Sequence, residues 1–154
     1  MKNIDLSIVI PVYNEDESIE LLNNSIQNNL NKTKLNYEII FIDDGSSDRS
    51  WDVIKDISIE NSLIKSIKFS KNFGKSDALD AGFKVCKGRY VLTMDADLQD
   101  DPKEIYPLYE MINQYDFDLV SGWKKKRNDP ITKTIPSKFF NLVTRIFSGI
   151  RLND

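Results

Sequence analysis

The sequence contains no histidine and a single cysteine, Cys86, in 154 residues. These absences exclude a disulfide framework, a Cys/His zinc site, a Ser-His-Asp triad and histidine acid–base chemistry. No apolar run approaches the ~20 residues of a membrane span. The opening Met1-Lys-Asn-Ile-Asp-Leu6 lacks the apolar core of a signal peptide. No Gly-x-Gly-x-x-Gly follows the first apolar run, and no Gly-Lys-Ser/Thr phosphate loop occurs. Dinucleotide dehydrogenases and P-loop enzymes are therefore poor fits. Ionic chemistry here must run on carboxylates, lysines, arginines and any metal they hold.

An apolar content of 40% argues for a globular chain. This length fits one domain, able to bury about 68–70% of its unfolded surface. The net charge of −3 hides an asymmetry: residues 1–123 carry −9 and residues 124–154 carry +6. A basic tail on an acidic body implies either an anion met by the tail alone or a lysine-rich solvated face.

Leu6–Val12 is a continuous apolar run, the pattern of a strand buried on both faces. Glu17–Leu30 reads as a helix with Ile19, Leu22, Ile26 and Leu30 on one stripe. Tyr37–Ile42 is a second buried strand ending in Asp43-Asp-Gly-Ser-Ser-Asp48. Ser47 or Asp48 can cap a following helix whose apolar face is Trp51, Ile54 and Ile57. Ile64–Phe69 is a third strand. Residues 75–86 form a helix that Gly88 stops, with Cys86 a small core residue. Tyr90–Met94 is a fourth strand, Pro102–Tyr115 a helix and Leu119–Gly122 a short fifth strand. Strand–helix alternation with short connections predicts an α/β fold, a mostly parallel sheet with helices on both faces.

Ligands of such sheets bind outside the carboxyl ends of the strands. There the sequence places Tyr13, Asn14 and Glu15, then Asp43 and Asp44, then Asn72 and Gly74, then Asp95 and Asp97. The last group belongs to Asp95-Ala-Asp-Leu-Gln-Asp-Asp101, carboxylates dense enough to repel unless a cation lies between them. Oxygen donors of this kind suit Mg²⁺ or Mn²⁺ with phosphate oxygens completing the shell. Convergence of four strand ends favours a site over an accidental acidic turn. The expected ligand is a nucleoside diphosphate bridged by a divalent ion, and no nucleic-acid partner is expected.

Four ordered strings carry a family resemblance: Val9-Ile-Pro-Val-Tyr-Asn-Glu15, Asp43-Asp-Gly-Ser-Ser-Asp48, Asn72-Phe-Gly-Lys75 with Ala78 and Gly82, and Asp95-Ala-Asp-Leu-Gln-Asp100. The chain resembles family 2 GT-A glycosyltransferases, in particular the branch that glycosylates polyprenyl phosphates. The resemblance implies the Rossmann-like GT-A fold, with residues 1–122 as the nucleotide-sugar half. Residues 123–154 would begin a basic, apolar acceptor- or membrane-facing segment of a catalytic domain truncated at its C-terminus. It implies Pro11, Tyr13 and Glu15 lining the base and ribose pocket of a UDP- or GDP-sugar, and Asp43 on the base edge. Gly74 would allow close backbone approach, with Lys75 near the phosphates. Asp97 and Gln99 would bind Mg²⁺ or Mn²⁺, and Asp95 would approach the ribose or a metal-bound water. Asp44 and Asp48 would hold the turn and cap the helix, and Asp100 and Asp101 would favour the next helix's N-terminus.

The implied reaction is inverting transfer, with Asp95 and Asp97 at its centre. A lipid-phosphate acceptor needs no catalytic base, being largely ionised already at its second pKa of about 6, but it needs cations. Lys133 and Ser137 match the branch's acceptor-phosphate positions, and Lys124 stands where arginine is common there, keeping the charge without the bidentate fork. The Ser137–Ser148 stretch, with Phe139, Phe140, Leu142, Val143, Ile146 and Phe147, reads either as core or as an interfacial membrane helix. The implied location is cytoplasmic, peripheral to or anchored at the membrane. A saccharide hydroxyl as acceptor and a non-catalytic nucleotide-sugar-binding fragment remain alternatives.

Overall fold

A computed structural model describes residues 3–115 and 117–122. The chain divides into a compact unit, residues 1–115, and a second, residues 116–154. The first unit runs β1 (Ile4–Val12), α1 (Ile19–Leu30), β2 (Tyr37–Asp43), α2 (Ser50–Glu60), β3 (Ile64–Lys68), α3 (Lys75–Val85) and β4 (Gly88–Thr93). A 3-10 turn (Pro102–Glu104) then leads into α4 (Ile105–Tyr115).

All strand pairs are parallel, in the order β3-β2-β1-β4. Burial on both faces explains the unbroken apolar sequence of β1 and β2. Leu6, Ile8, Ile10 and Val12 of β1, with Tyr37, Ile39 and Phe41 of β2, face Ile19, Leu22 and Ile26 of α1, Ile54 of α2 and Ile105 of α4. Val9, Ile40 and Ile42 face the other way, onto Ala78 of α3. Each fully buried aliphatic of this kind contributes roughly 1.5–3 kcal/mol. The α1 stripe is buried as its spacing predicts. Helices thus lie on both faces.

The position of α3 follows from handedness. The chain steps outward from β1 to β2 to β3, then returns past β1 to form β4. Right-handed crossovers place the returning helix on the opposite face. Close approach is secured at Gly82, where a Cβ would lie 2.4 Å from Val9 Cγ1.

Some boundaries differ from the sequence reading. The first helix begins at Ile19, because Glu15–Ser18 forms a turn in which Ser18 N–H and Oγ both donate to the Glu15 carbonyl. Arg49 rather than Ser47 or Asp48 occupies the N-cap of α2, although Asp48 Oδ1 accepts the Ser50 N–H at 2.9 Å. Gly88 does not stop α3; it opens β4, where a Cβ would lie 2.4 Å from Ser7 N. Leu119–Gly122 is not a strand: no ladder forms there among the described residues, and Leu119 is 82% exposed.

One buried carboxylate ties all four strands at their amino ends. Glu38 of β2, 2% exposed, accepts from Ser7 Oγ of β1 at 2.6 Å and from the Lys87 N–H before β4 at 2.7 Å. Lys65 of β3 completes the set with an ion pair at 2.5 Å. Burial pushes the Glu38 carboxyl upward, but Lys65, Ser7 and Lys87 together outweigh it and hold the group below its ordinary value. Because the folded value is depressed, this contribution is present above the unfolded value of 4.5 and is lost as pH falls through the folded one. Glu38→Ala should destabilise the fold by about 1–3 kcal/mol, because the Ser7 hydroxyl and Lys87 N–H lose their buried acceptor while Lys65, a third exposed, turns to water. Chemical denaturation across pH should also show a flatter acid limb in Glu38→Gln than in the parent.

Candidate functional site

The chain's direction reverses at β1, so β2 and β4 flank it while α1, which leads to β2, and α3, which leads to β4, pack on opposite faces. A crevice opens at such a switch point, beyond the carboxyl ends of the strands. Here it is a cleft of about 410 Å³ lined by Pro11, Val12, Tyr13, Glu15, Asp44, Asn72, Gly74, Lys75, Asp95, Ala96 and Asp97. A second cavity of about 450 Å³ lies at the opposite end of the sheet, where Glu38 is already neutralised by Lys65.

The strand exits that build the cleft are stitched to one another. After β1, Asn14 N–H donates to Ser46 Oγ at 3.0 Å, and Asn14 Oδ1 accepts the Ser47 N–H at 2.8 Å. Glu15 N–H donates to Ser50 Oγ at 2.8 Å, fixing the β1 exit to the start of α2. After β2, the buried Asp44 carboxylate accepts the Phe73 and Gly74 N–H groups at 2.8 and 2.9 Å. That grip holds the β3–α3 loop, and with it Asn72 and Lys75, against the cleft. Gly45 is required beside it: its φ is +69°, and a Cβ there would lie 2.3 Å from the Lys71 carbonyl carbon.

After β4, Asp95 pairs with Lys75 across the cleft, the two side chains being 46% and 58% exposed. An ion pair so open to water contributes at most about 1 kcal/mol. Its consequence is electrostatic: Asp95 carries its own counter-charge, whereas no cation pairs with Asp97 among the described residues. Asp97 Oδ1 accepts the Gln99 N–H at 3.0 Å, which leaves the other carboxylate oxygen for a ligand. Asp101 caps the following turn by accepting the Lys103 N–H, as expected, but Asp100 Oδ2 instead reaches back to within 3.5 Å of Asp95 N.

Seven of the expected donor-site residues, Pro11, Tyr13, Glu15, Gly74, Lys75, Asp95 and Asp97, therefore line one cleft. Asp43 and Gln99 do not. Asp43 is fully buried, its Oδ1 accepting from Ser46 N–H at 3.1 Å and its Oδ2 without a hydrogen bond among the described residues. Gln99 is exposed. Val12, Asp44, Asn72 and Ala96 also line the cleft; Asp44 and Asn72 stand among the strand-end residues of the sequence, and Val12 and Ala96 carry a signal only as members of the strings around them. Lys124, Lys133 and Ser137 lie outside the described residues.

Divalent-ion chemistry can be tested against these donors. Among the described residues, no three His, Cys, Asp or Glu side chains converge as a ready-made cage. Mg²⁺ needs no such cage when phosphates complete its shell, since one or two carboxylates then suffice. Asp97, hard, open and on the cleft wall, fits that requirement.

The family profile described as Glycosyl transferase family 2 matches residues 7–153. The chain belongs to that family. It is 37% identical over 158 aligned positions, all of this chain and 48% of the relative, to an undecaprenyl-phosphate 4-deoxy-4-formamido-L-arabinose transferase of Aeromonas hydrophila. A dodecaprenyl-phosphate galacturonate synthase of Rhizobium johnstonii is 31% identical over all of this chain and 46% of its own length. The chain thus spans about half the length of the curated relatives it matches. Among solved structures, S. aureus TarS 1-349 in complex with UDP-GlcNAc superposes with a TM-score of 0.63 over 82% of this chain and 37% of that one, at 20% identity. The mannosyltransferase PcManGT from Pyrobaculum calidifontis, in complex with GDP-Man and Mn²⁺, gives 0.52 over 63% and 28%, also at 20% identity. The fold is GT-A.

Asp44→Ala should release the β3–α3 loop. Two hydrogen bonds to a buried charge are lost, at roughly 1.5–3 kcal/mol each. Hydrogen exchange at Phe73 and Gly74 should accelerate in this variant while the amides of β1 stay protected.

Proposed function

We propose that this chain carries the donor-binding part of an inverting, metal-dependent glycosyltransferase that moves a sugar from a UDP- or GDP-sugar to a polyprenyl phosphate. The observation that carries the reading is the cleft at the β1/β4 switch point. There an aromatic side chain, a glycine approach, a lysine and an open carboxylate line one wall-to-wall space. The names of the Aeromonas and Rhizobium relatives support the acceptor class.

In this reading Tyr13 and Pro11 bound the base and ribose side, with Glu15 on the ribose. Asp43, given to the base edge by the resemblance, is fully buried outside the cleft lining and steadies the β2 exit by accepting the Ser46 N–H. Gly74 lets the diphosphate approach the backbone, and Lys75, at the positive amino end of α3, meets its charge. Asp97 and Gln99 would hold Mg²⁺ or Mn²⁺, whose chemistry there is neutralisation of the charge that develops on the departing diphosphate. Asp95, held by Lys75, orients the ribose or a water. The acceptor phosphate attacks the anomeric carbon from the opposite face, and its own ionisation removes the need for a protein base. Lys124, Lys133 and Ser137 are the proposed acceptor contacts, on the sequence match alone. No described helix is long and apolar enough to cross a membrane. A polyprenyl acceptor would nonetheless bring the protein to the cytoplasmic membrane face.

Calorimetry with UDP and GDP, with and without Mn²⁺, should show affinity that rises with the metal. Asp97→Ala should remove that rise, at least about tenfold for a lost charged contact of roughly 1.5–3 kcal/mol. Affinity indifferent to Mn²⁺ would sink the donor assignment. With undecaprenyl phosphate as acceptor, neutralising Lys124 and Lys133 should raise the acceptor KM more than the donor KM; equal rises would count against the acceptor assignment.

A further inference from the structure

Every strand is followed on the cleft side by a residue in the left-handed region: Asn14 (φ +56°) after β1, Gly45 (+69°) after β2, Gly74 (+103°) after β3 and Leu98 (+61°) after β4. Among the described residues, left-handed backbone occurs at these positions alone. Glycine and asparagine adopt this region readily, whereas leucine pays a steric cost there. Its side chain is 44% exposed, so burial of that side chain does not account for the turn. Strain of this kind persists only where surrounding contacts over-determine it, and it gathers at functional sites.

Contacts on either side show what the strained turn achieves. It folds the chain back so that Asp97 Oδ1 accepts the Gln99 N–H at 3.0 Å. It also brings the Asp100 carboxylate to within 3.5 Å of Asp95 N. Both contacts fix Asp95 and Asp97, which line the cleft. We propose that Leu98 is a positioning residue: its left-handed backbone, rather than its side chain, holds the Asp97 carboxylate where a metal–diphosphate can use it. The proposal rests on the nucleotide-sugar reading of the cleft.

Three substitutions separate backbone from side chain. Leu98→Gly and Leu98→Asn accept the left-handed region and remove the apolar side chain. Leu98→Val keeps an apolar side chain, but its branched Cβ resists positive φ. Calorimetry uses whichever of UDP and GDP the parent chain binds, with and without MnCl₂, alongside thermal unfolding of each variant. Leu98→Gly and Leu98→Asn should keep the Mn²⁺-dependent gain in affinity. Leu98→Val should lose about tenfold of that gain while retaining metal-free nucleotide affinity. The proposal is overturned if Leu98→Val keeps the gain, if Leu98→Gly loses it, or if Leu98→Val loses metal-free binding in equal measure, the last outcome marking a merely structural role. A parent chain with no Mn²⁺-dependent gain would instead overturn the nucleotide-sugar reading, and this proposal with it.

Discussion

Everything at the cleft depends on β1 being paired in parallel on both sides while the chain's direction of travel reverses across it. Parallel pairing puts four carboxyl ends on one rim, and right-handed crossovers send α1 and α3 to opposite faces. Between those diverging helices the rim cannot be filled by packing. The opposite end of the sheet is tied in a different manner, by the Glu38 carboxylate and its donors from β1, β3 and the segment entering β4. Both ends carry a cavity, but at the Glu38 end the carboxylate is paired with Lys65, whereas the carboxyl-end cleft presents the exposed Asp97.

That contrast is visible in the residues of the rim. Asp44 spends its charge on two backbone N–H groups, and Asp95 is matched by Lys75. Asp97 alone of these has, among the described residues, a carboxylate oxygen with neither a cation nor a hydrogen-bond donor beside it. The three aspartates are therefore not equivalent, although a sequence shows only their spacing. Leu98 belongs to the same pattern, a locally unfavourable conformation retained beside the group it orients.

Legibility in the sequence followed physical cause. Strands buried on both faces write unbroken apolar runs, so β1 and β2 were readable. The α1 stripe of Ile19, Leu22, Ile26 and Leu30 was readable because a helix buried on one side must repeat every three or four residues. Strand order was not, since it depends on crossover direction and leaves no local mark. The resemblance gives Asp43 the base edge and Asp44 the turn, yet Asp44 lines the cleft and Asp43 is buried, because adjacent strand-end residues point to opposite sides and only the completed turn decides which one meets the cleft. Gly88 reads as a helix stop yet opens β4, because a glycine needed for close strand approach looks the same in sequence as one needed for positive φ. A fifth strand at Leu119–Gly122 failed because a short apolar run forms a strand only with a partner to pair with.

The central claim is that a metal-bridged nucleotide occupies the carboxyl-end cleft. It can be tested directly by the paramagnetic broadening of backbone amide resonances when Mn²⁺ is titrated into the chain with UDP or GDP. Broadening should begin at Asp95–Gln99 and at Gly74 and Lys75, while amides at the far end of the sheet, around Asn36 and Leu63, stay sharp. Broadening centred on the Glu38 end, or spread over surface carboxylates without preference, would contradict it.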